Sequence, residues 1–168
     1  TFLNYLLNPT KNESLSITII DGDIIAAAQE ERFTRIKHDP EFPTMAIKYC
    51  LQEAKLKLND LDYIVFYEKP LVKFERLIET YLYFAPRGFK SFAKAIPLWI
   101  KEKLFQKKML IDSLNKIEKT AKLKEKLLFA EHHQSHAASA FYPSPFNEAI
   151  VLTMDGVGEW ATTSVSIG

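Results

Sequence analysis

Two apolar segments on either side of Asp21-Gly22 constrain the fold of this chain most strongly. Residues 17–20 and 24–27 consist of isoleucine, threonine and alanine, and the Asp-Gly pair between them is a favoured two-residue turn. The sequence therefore predicts a β-hairpin over residues 16–29. A strand over residues 2–7 is predicted to precede it, separated from it by a turn-like stretch.

The rest of the chain alternates between helical and extended periodicity. Apolar spacing predicts a helix over residues 43–58, a strand over 61–67, and helices over 71–84 and 89–110, the last kinked at Pro97. Beyond them it predicts a short helix over residues 114–123 and strands over 127–130, 149–154 and 161–167. This order favours a mixed α/β sheet over a helical bundle or a β-sandwich.

Composition excludes several classes of protein. With 168 residues, 47% hydrophobic and 26% charged, the chain has the composition of one globular domain. A net charge of +1 predicts no general attraction to nucleic acid or to an anionic membrane. The single cysteine, Cys50, excludes an internal disulfide framework and favours a cytoplasmic location. Because the chain starts with Thr1 and ends in a strand-like segment, we expect it to be part of a longer protein.

Three of the four histidines lie within residues 132–136. If this segment is helical, His132 and His136 are one turn apart on the same face, a spacing suited to one divalent metal ion. Such a pair needs a further ligand, usually a carboxylate. The alternative is a polar helix start whose histidines only form hydrogen bonds. No glutamate follows His132 as it does in zinc proteases, so that class is excluded.

A second candidate site is the turn over residues 155–159. Gly156 and Gly158 permit positive φ angles and expose backbone amides to an anion, and Asp155 could hold a metal ion or its water. The alternative is an ordinary β-turn. The segment is not a Walker loop, because no Gly-Lys-Ser/Thr sequence follows.

Two basic stretches are further candidates. In residues 30–39, the side chains of Arg32, Arg35, Lys37 and His38 could pair with a phosphate or carbamoyl oxygen, or the segment is a solvated surface loop. Residues 87–108 carry seven basic residues against Glu102 alone, interleaved with aromatic residues. A nucleic-acid or membrane-surface role is possible there, but we favour an amphipathic helix packed on its own domain.

Three blocks together, residues 20–39, 131–141 and 152–164, resemble the O-carbamoyltransferases of the nodulation-protein and antibiotic-tailoring type. The resemblance extends over nearly the whole chain from Leu15. It implies an actin-like ATPase, ribonuclease-H-like mixed sheet with a helical insert at about residues 71–124. It also identifies residues 1–168 as the N-terminal part of the transferase domain, similar to the tRNA threonylcarbamoyl transferases, with the remainder of the enzyme outside this chain.

The resemblance implies an activity as well. A separate domain makes carbamoyl adenylate from carbamoyl phosphate and ATP, and the transferase domain moves the carbamoyl group to a hydroxyl of a small-molecule or saccharide acceptor. A divalent metal ion, typically iron, is implied to be held by His132, His136 and an aspartate beyond Gly168, with His133 supporting them. Lys37 is the implied catalytic residue that stabilises charge on oxygen. The cofactor-binding residues are expected to be Asp155, Gly156 and Gly158.

One position departs from the family pattern. Asn12 stands where the family usually carries the histidine expected to act as the base, and an amide cannot accept a proton near neutral pH. The alternative function is therefore a non-catalytic, regulatory binding module of the same fold. We expect the chain alone to be inactive and its partners to be the rest of the enzyme or a partner chain. A homodimer is possible, and neither a nucleic acid nor a membrane is expected.

Overall fold

The computed structural model describes residues 2–7, 15–100, 105–156 and 158–168, and the side chains from residue 15 onward. Asn12 lies outside the described residues. In chain order the elements are β1 (Phe2–Leu7), β2 (Leu15–Ile20), β3 (Asp23–Gln29), α1 (Glu31–Thr34), α2 (Thr44–Ala54), a 3-10 turn (Leu58–Asp60), β4 (Tyr63–Phe66), α3 (Pro70–Phe84), α4 (Phe89–Trp99), α5 (Gln106–Ile117), α6 (Leu123–Lys126), β5 (Leu127–Phe129), α7 (His132–Phe141), β6 (Ile150–Met154) and β7 (Thr163–Ile167).

A five-stranded mixed sheet organises the first part of the chain, in the order β3-β2-β1-β4-β5. Strand β2 is antiparallel to both β1 and β3, whereas β4 is parallel to β1 and β5 is parallel to β4. Strands β6 and β7 form a separate antiparallel pair. The predicted mixed α/β class is therefore confirmed.

The predicted hairpin is confirmed, and its turn has the expected geometry. Asp21 and Gly22 have φ angles of 51° and 99°, so both central residues are left-handed. This backbone matches the twist of two antiparallel strands, and glycine adopts it without steric cost.

The core lies between the five-stranded sheet and helices α2 and α5. Its members are large aliphatic side chains with one phenylalanine, and all are less than one-tenth exposed: Ile47, Leu51, Leu58, Leu61, Ile64, Phe66, Leu110, Ile111, Leu114, Leu123 and Leu127. Helix α2 contributes one apolar face to this core, as its periodicity predicts. It ends at Ala54, before the predicted Leu58, because Lys55 has a left-handed φ of 56° that closes the helix.

The helix predicted over residues 89–110 is wrong. Helix α4 ends at Trp99, and a separate helix, α5, begins at Gln106. Helix α4 has no buried residue, whereas α5 buries Leu110, Ile111 and Leu114 in the core. Although the two helices lie in different environments, their apolar residues follow one continuous helical periodicity in the sequence. The sequence therefore does not show that α4 and α5 are separate helices.

The short helix predicted over residues 114–123 is also wrong. Leu114 belongs to α5, which ends at Ile117, and Leu123 begins the one-turn helix α6. Residues 118–122 are not helical. Leu114 and Leu123 both enter the core, but they do so from two different elements.

The interpretation of residues 30–39 as a solvated loop is wrong at both ends. Glu30 and Asp39 are each only 3% exposed. The Glu30 carboxylate accepts hydrogen bonds from the backbone N–H groups of Met45 (3.0 Å) and Ala46 (2.8 Å), the first turn of α2. Because the first N–H groups of a helix have no partner within it, the buried Glu30 carboxylate acts as the cap of α2.

We expect Glu30→Ala to lower the free energy of unfolding by about 2 kcal/mol, because two N–H groups at a buried helix start lose their acceptor. Urea denaturation followed by circular dichroism measures the change. The matched control is Glu53→Ala, which removes an exposed carboxylate from the same helix and should leave stability nearly unchanged. Equal effects of the two substitutions would contradict the capping role.

Candidate metal centre

Helix α7 begins where strand β5 ends, and its first turn is buried. His132 is 7% exposed and Ser135 is 5% exposed. The Ser135 hydroxyl donates to the backbone carbonyl of Tyr67 (2.9 Å), just beyond β4, and to that of Glu131 (3.0 Å). This hydroxyl therefore links the start of α7 to the end of a neighbouring strand and fixes the direction in which its histidines project.

His132, His136 and Asp155 come together at this helix start. The Nε2 atoms of the two histidines are 3.1 Å apart, and His132 Nε2 is 2.7 Å from Asp155 Oδ2. All three potential ligand atoms lie within 4.8 Å of one another. Asp155 follows directly after β6, where its backbone N–H donates to the Thr162 carbonyl (2.8 Å). The sequence predicted the histidine pair, with a further aspartate expected beyond Gly168, outside this chain. Within the chain the third group is Asp155, which comes from a different sheet.

The electrostatics of the site favour a neutral His132. Burial lowers its pKa, and the adjacent His136 lowers it further, against the opposing effect of Asp155. The ring is therefore neutral at pH 7, although its nitrogen is close to a carboxylate. A permanent ion pair between protonated His132 and Asp155 is disfavoured, and a neutral imidazole is the form that binds metal ions.

The donor set fits a divalent transition metal. Nitrogen and oxygen ligands bind such ions at about 2.0–2.2 Å, so two ligands at a right angle lie about 3 Å apart. The observed 3.1 Å between the two imidazole nitrogens agrees with that separation. Two imidazoles and one carboxylate suit iron or zinc rather than calcium or magnesium, which prefer oxygen ligands.

His133 lies beside this cluster but is not part of it, with its ring centroid 6.2 Å from that of His132 and 6.4 Å from that of His136. Its Nδ1 atom is 2.9 Å from the Ser164 hydroxyl and 3.3 Å from the Thr153 hydroxyl, on strands β7 and β6. These contacts connect α7 to the second sheet. His133 therefore supports the arrangement without contributing an atom to the cluster.

The turn after Asp155 is held by the beginning of helix α3. The Arg76 guanidinium donates to the Gly158 carbonyl (2.6 Å), and the Glu159 carboxylate accepts from the backbone N–H of Lys69. Glu159 also accepts from the backbone N–H of His132, and burial raises its pKa. The start of α3 therefore holds the turn that follows Asp155, and Glu159 in that turn is bonded to the start of α7.

Local sequence reasoning missed this support. Lys69, Lys73 and Arg76 are spaced as neighbours on one face at the start of α3, and each makes a specific polar contact. Lys69 pairs with Glu131 (2.8 Å), and Lys73 pairs with the buried Glu68 (2.7 Å). The spacing of these three basic residues is a signal in the sequence, but their partners lie as far away as Gly158 and cannot be read from it.

One of the two glycines departs from the predicted backbone conformation. Gly156 does not adopt a left-handed φ, and a Cβ atom there would meet nothing within 4 Å. At Gly158 a Cβ atom would lie 3.0 Å from the Ala161 carbonyl oxygen and 3.2 Å from the His133 ring. Gly158 therefore permits close packing against α7 and the next turn.

Lys37 lies in an exposed turn after α1. Arg32, Arg35 and His38 are exposed as well. The turn itself is ordered by a hydrogen bond from the His38 backbone N–H to the Glu31 carboxylate (2.9 Å). The basic side chains of this segment are accessible to an anion.

The arrangement brings two histidines and one carboxylate together on an α/β scaffold. Comparison with known proteins assigns the chain to a family. The family model for the carbamoyltransferase N-terminus matches residues 12–168. The chain belongs to this carbamoyltransferase family. The resemblance seen in the three sequence blocks is confirmed.

Two relatives extend over nearly the whole chain. It is 61% identical over 159 residues, 94% of its length, to the uncharacterized protein sll1178 of Synechocystis. It is 32% identical over 166 residues, 97% of its length, to the nodulation protein NolNO of Sinorhizobium fredii. The matched regions are 26% and 22% of those proteins, so the chain spans about a quarter of their length. Among the described residues, no helix is long and apolar enough to cross a membrane.

We expect His136→Ala to weaken the binding of Fe²⁺ or Zn²⁺ to the chain by about 100-fold or more, because it removes a direct ligand. Equilibrium dialysis of the metal ion against purified protein measures the affinity. His38→Ala, which removes an exposed histidine outside the cluster, is the control and should bind normally. An unchanged affinity in His136→Ala would contradict the assignment.

We expect Arg76→Ala to weaken metal binding by about tenfold, because the Gly158 carbonyl loses its charged donor and Asp155 is held less firmly. The same dialysis measures this effect, and Arg76→Lys tests whether a single charged donor restores part of it. Arg87→Ala, an exposed arginine at the far end of the helical insert, is the control. Equal metal affinities of Arg76→Ala and the control would argue against this role.

Proposed function

We propose that this chain is the N-terminal part of an O-carbamoyltransferase that moves a carbamoyl group from carbamoyl adenylate to a hydroxyl of a small-molecule or saccharide acceptor. The observation that carries the proposal is the convergence of His132, His136 and Asp155 in a chain of the carbamoyltransferase family. The adenylate would form from carbamoyl phosphate and ATP in another part of the enzyme.

The sheet supports the fold that this function implies. An antiparallel β1–β3 unit continued by two parallel strands is consistent with an actin-like, ribonuclease-H-like domain. In this proposal the insert, expected at about residues 71–124, comprises the helices α3, α4, α5 and α6 between β4 and β5. In this proposal the β6–β7 pair positions Asp155, which comes directly after β6.

The proposed mechanism assigns distinct tasks to the residues. His132, His136 and Asp155 would hold a divalent ion, with iron as the expected metal, that supplies Lewis-acid stabilisation of phosphate and carbonyl oxygens when bound. Lys37 would approach the transferred group and stabilise negative charge on its oxygen. The amides near Gly156 and Gly158 would contact the adenylate. In the transfer, a base takes the proton of the acceptor hydroxyl and the acceptor oxygen bonds to the carbamoyl carbon. The bond between that carbon and the phosphate oxygen breaks, and AMP leaves.

Titration calorimetry with a non-hydrolysable acyl-adenylate analogue tests the proposal. We expect binding to the metal-loaded chain, and a loss of about tenfold in Lys37→Ala, because one charge-assisted contact to the ligand is removed. Lys48→Ala, an exposed lysine on α2, is the control. A metal-loaded chain that does not bind the analogue would contradict the proposed function.

A second candidate is a binding or regulatory module that keeps the fold without catalysis. Asn12 favours it, because the amide has no basic atom to take the proton from the acceptor hydroxyl. Release of AMP from carbamoyl adenylate by the complete enzyme, in the presence of a polyol, distinguishes the two. If release requires Asn12→His, the natural protein is a binding module; if the native enzyme releases AMP, another group is the base.

A further inference from the structure

The far end of the helical insert projects from the domain. In helix α3 the buried residue is Pro70, at its start, and α4 has none. The two helices meet through their own aromatic contacts, with Tyr81 at 4.7 Å from Phe92 and 6.0 Å from Trp99, measured between ring centroids. Helix α4 therefore packs on its own domain through α3, as expected for this stretch, and contributes no buried residue to the core.

The connection between α3 and α4, which we call the apex (residues 82–90), exposes large apolar side chains. Leu82, Tyr83, Phe84 and Phe89 are 67%, 83%, 57% and 67% exposed. The apex is nevertheless an ordered turn, in which the Arg87 N–H donates to the Phe84 carbonyl (2.9 Å). Exposing four such side chains within nine residues is unfavourable in water and marks an interaction surface.

The charge of this region has one sign. From Thr80 to Lys101 the sequence contains four basic residues and no acidic residue, whereas the whole chain has a net charge of only +1. Arg87, Lys90 and Lys94 are exposed, and they flank the apolar side chains of the apex. The partner should therefore offer an apolar region for the exposed aromatic side chains and negative charge for the basic residues beside them.

We propose that the apex is a docking site for an anionic lipid surface. Aromatic side chains are favoured at the level of the headgroups, and lysine and arginine beside them are attracted to anionic lipids. Every residue of the apex is exposed, so the apex can contact an extended surface. Single-stranded nucleic acid requires a groove that follows its backbone, which a projecting turn does not provide. This proposal departs from the composition-based expectation of no membrane partner.

Co-sedimentation with lipid vesicles tests the proposal. We expect the chain to bind vesicles that contain phosphatidylglycerol, to bind pure phosphatidylcholine vesicles weakly, and to dissociate as salt screens the charges. Phe84→Ser with Phe89→Ser should weaken binding by at least about tenfold, because two apolar anchors are lost. Tyr142→Ser with Phe146→Ser, which changes two exposed aromatic residues elsewhere, is the matched control.

A charge-reversal pair tests the electrostatic part separately. Lys90→Glu with Lys94→Glu should weaken binding by about tenfold or more, whereas Lys116→Glu with Lys119→Glu makes the same change in net charge away from the apex and should have a smaller effect. Circular dichroism verifies that each variant is folded. The proposal is overturned if vesicles do not bind, or if the apex and control variants bind alike. It is also overturned if the chain does not bind vesicles but forms a dimer, or binds an RNA homopolymer, that the apex variants abolish.

Discussion

The contact between His132 and Asp155 joins the two sheets of the structure. His132 begins the helix that follows the five-stranded sheet, and Asp155 comes directly after the first strand of the separate β6–β7 pair, yet their side-chain atoms are 2.7 Å apart. A carboxylate next to a buried imidazole is costly unless both groups have partners. The hydrogen bonds of the Ser135 hydroxyl and of the Glu159 carboxylate hold the segments that carry these two groups in place.

The helical insert has two ends with different chemistry. At its start, Lys69, Lys73 and Arg76 are used in polar contacts that reach Glu131, Glu68 and Gly158. At its apex, the basic residues flank exposed aromatic side chains and have a sequence environment without acidic residues. Helix α3 is held at its start by these polar contacts, whereas the apex at its other end is exposed. Contacts made by the apex can therefore leave the metal-ligand candidates in place.

Local patterns predicted the elements whose cause is local. The Asp21-Gly22 turn and the one-turn spacing of His132 and His136 depend on neighbouring residues only, so both were visible in the sequence. The end of α4 and the start of α5 were not, because helical periodicity continues through residues in two different environments. Nor was the capping role of Glu30, which depends on a carboxylate meeting N–H groups fifteen or sixteen residues away. Asp155 was recognised as a candidate, but its place beside the histidines depends on the pairing of two sheets.

Gly158 limits how far the site can change. Its carbonyl accepts from Arg76 on one side, while its Cα is so close to the Ala161 carbonyl and the His133 ring that a Cβ would make unusually tight contacts. His133 is in turn hydrogen-bonded to Ser164 on β7. A displacement of the Asp155 turn would therefore have to move α3, α7 and β7 together. Such a turn presents its carboxylate in a fixed position, which reduces the conformational entropy lost when the three groups bind a common ligand.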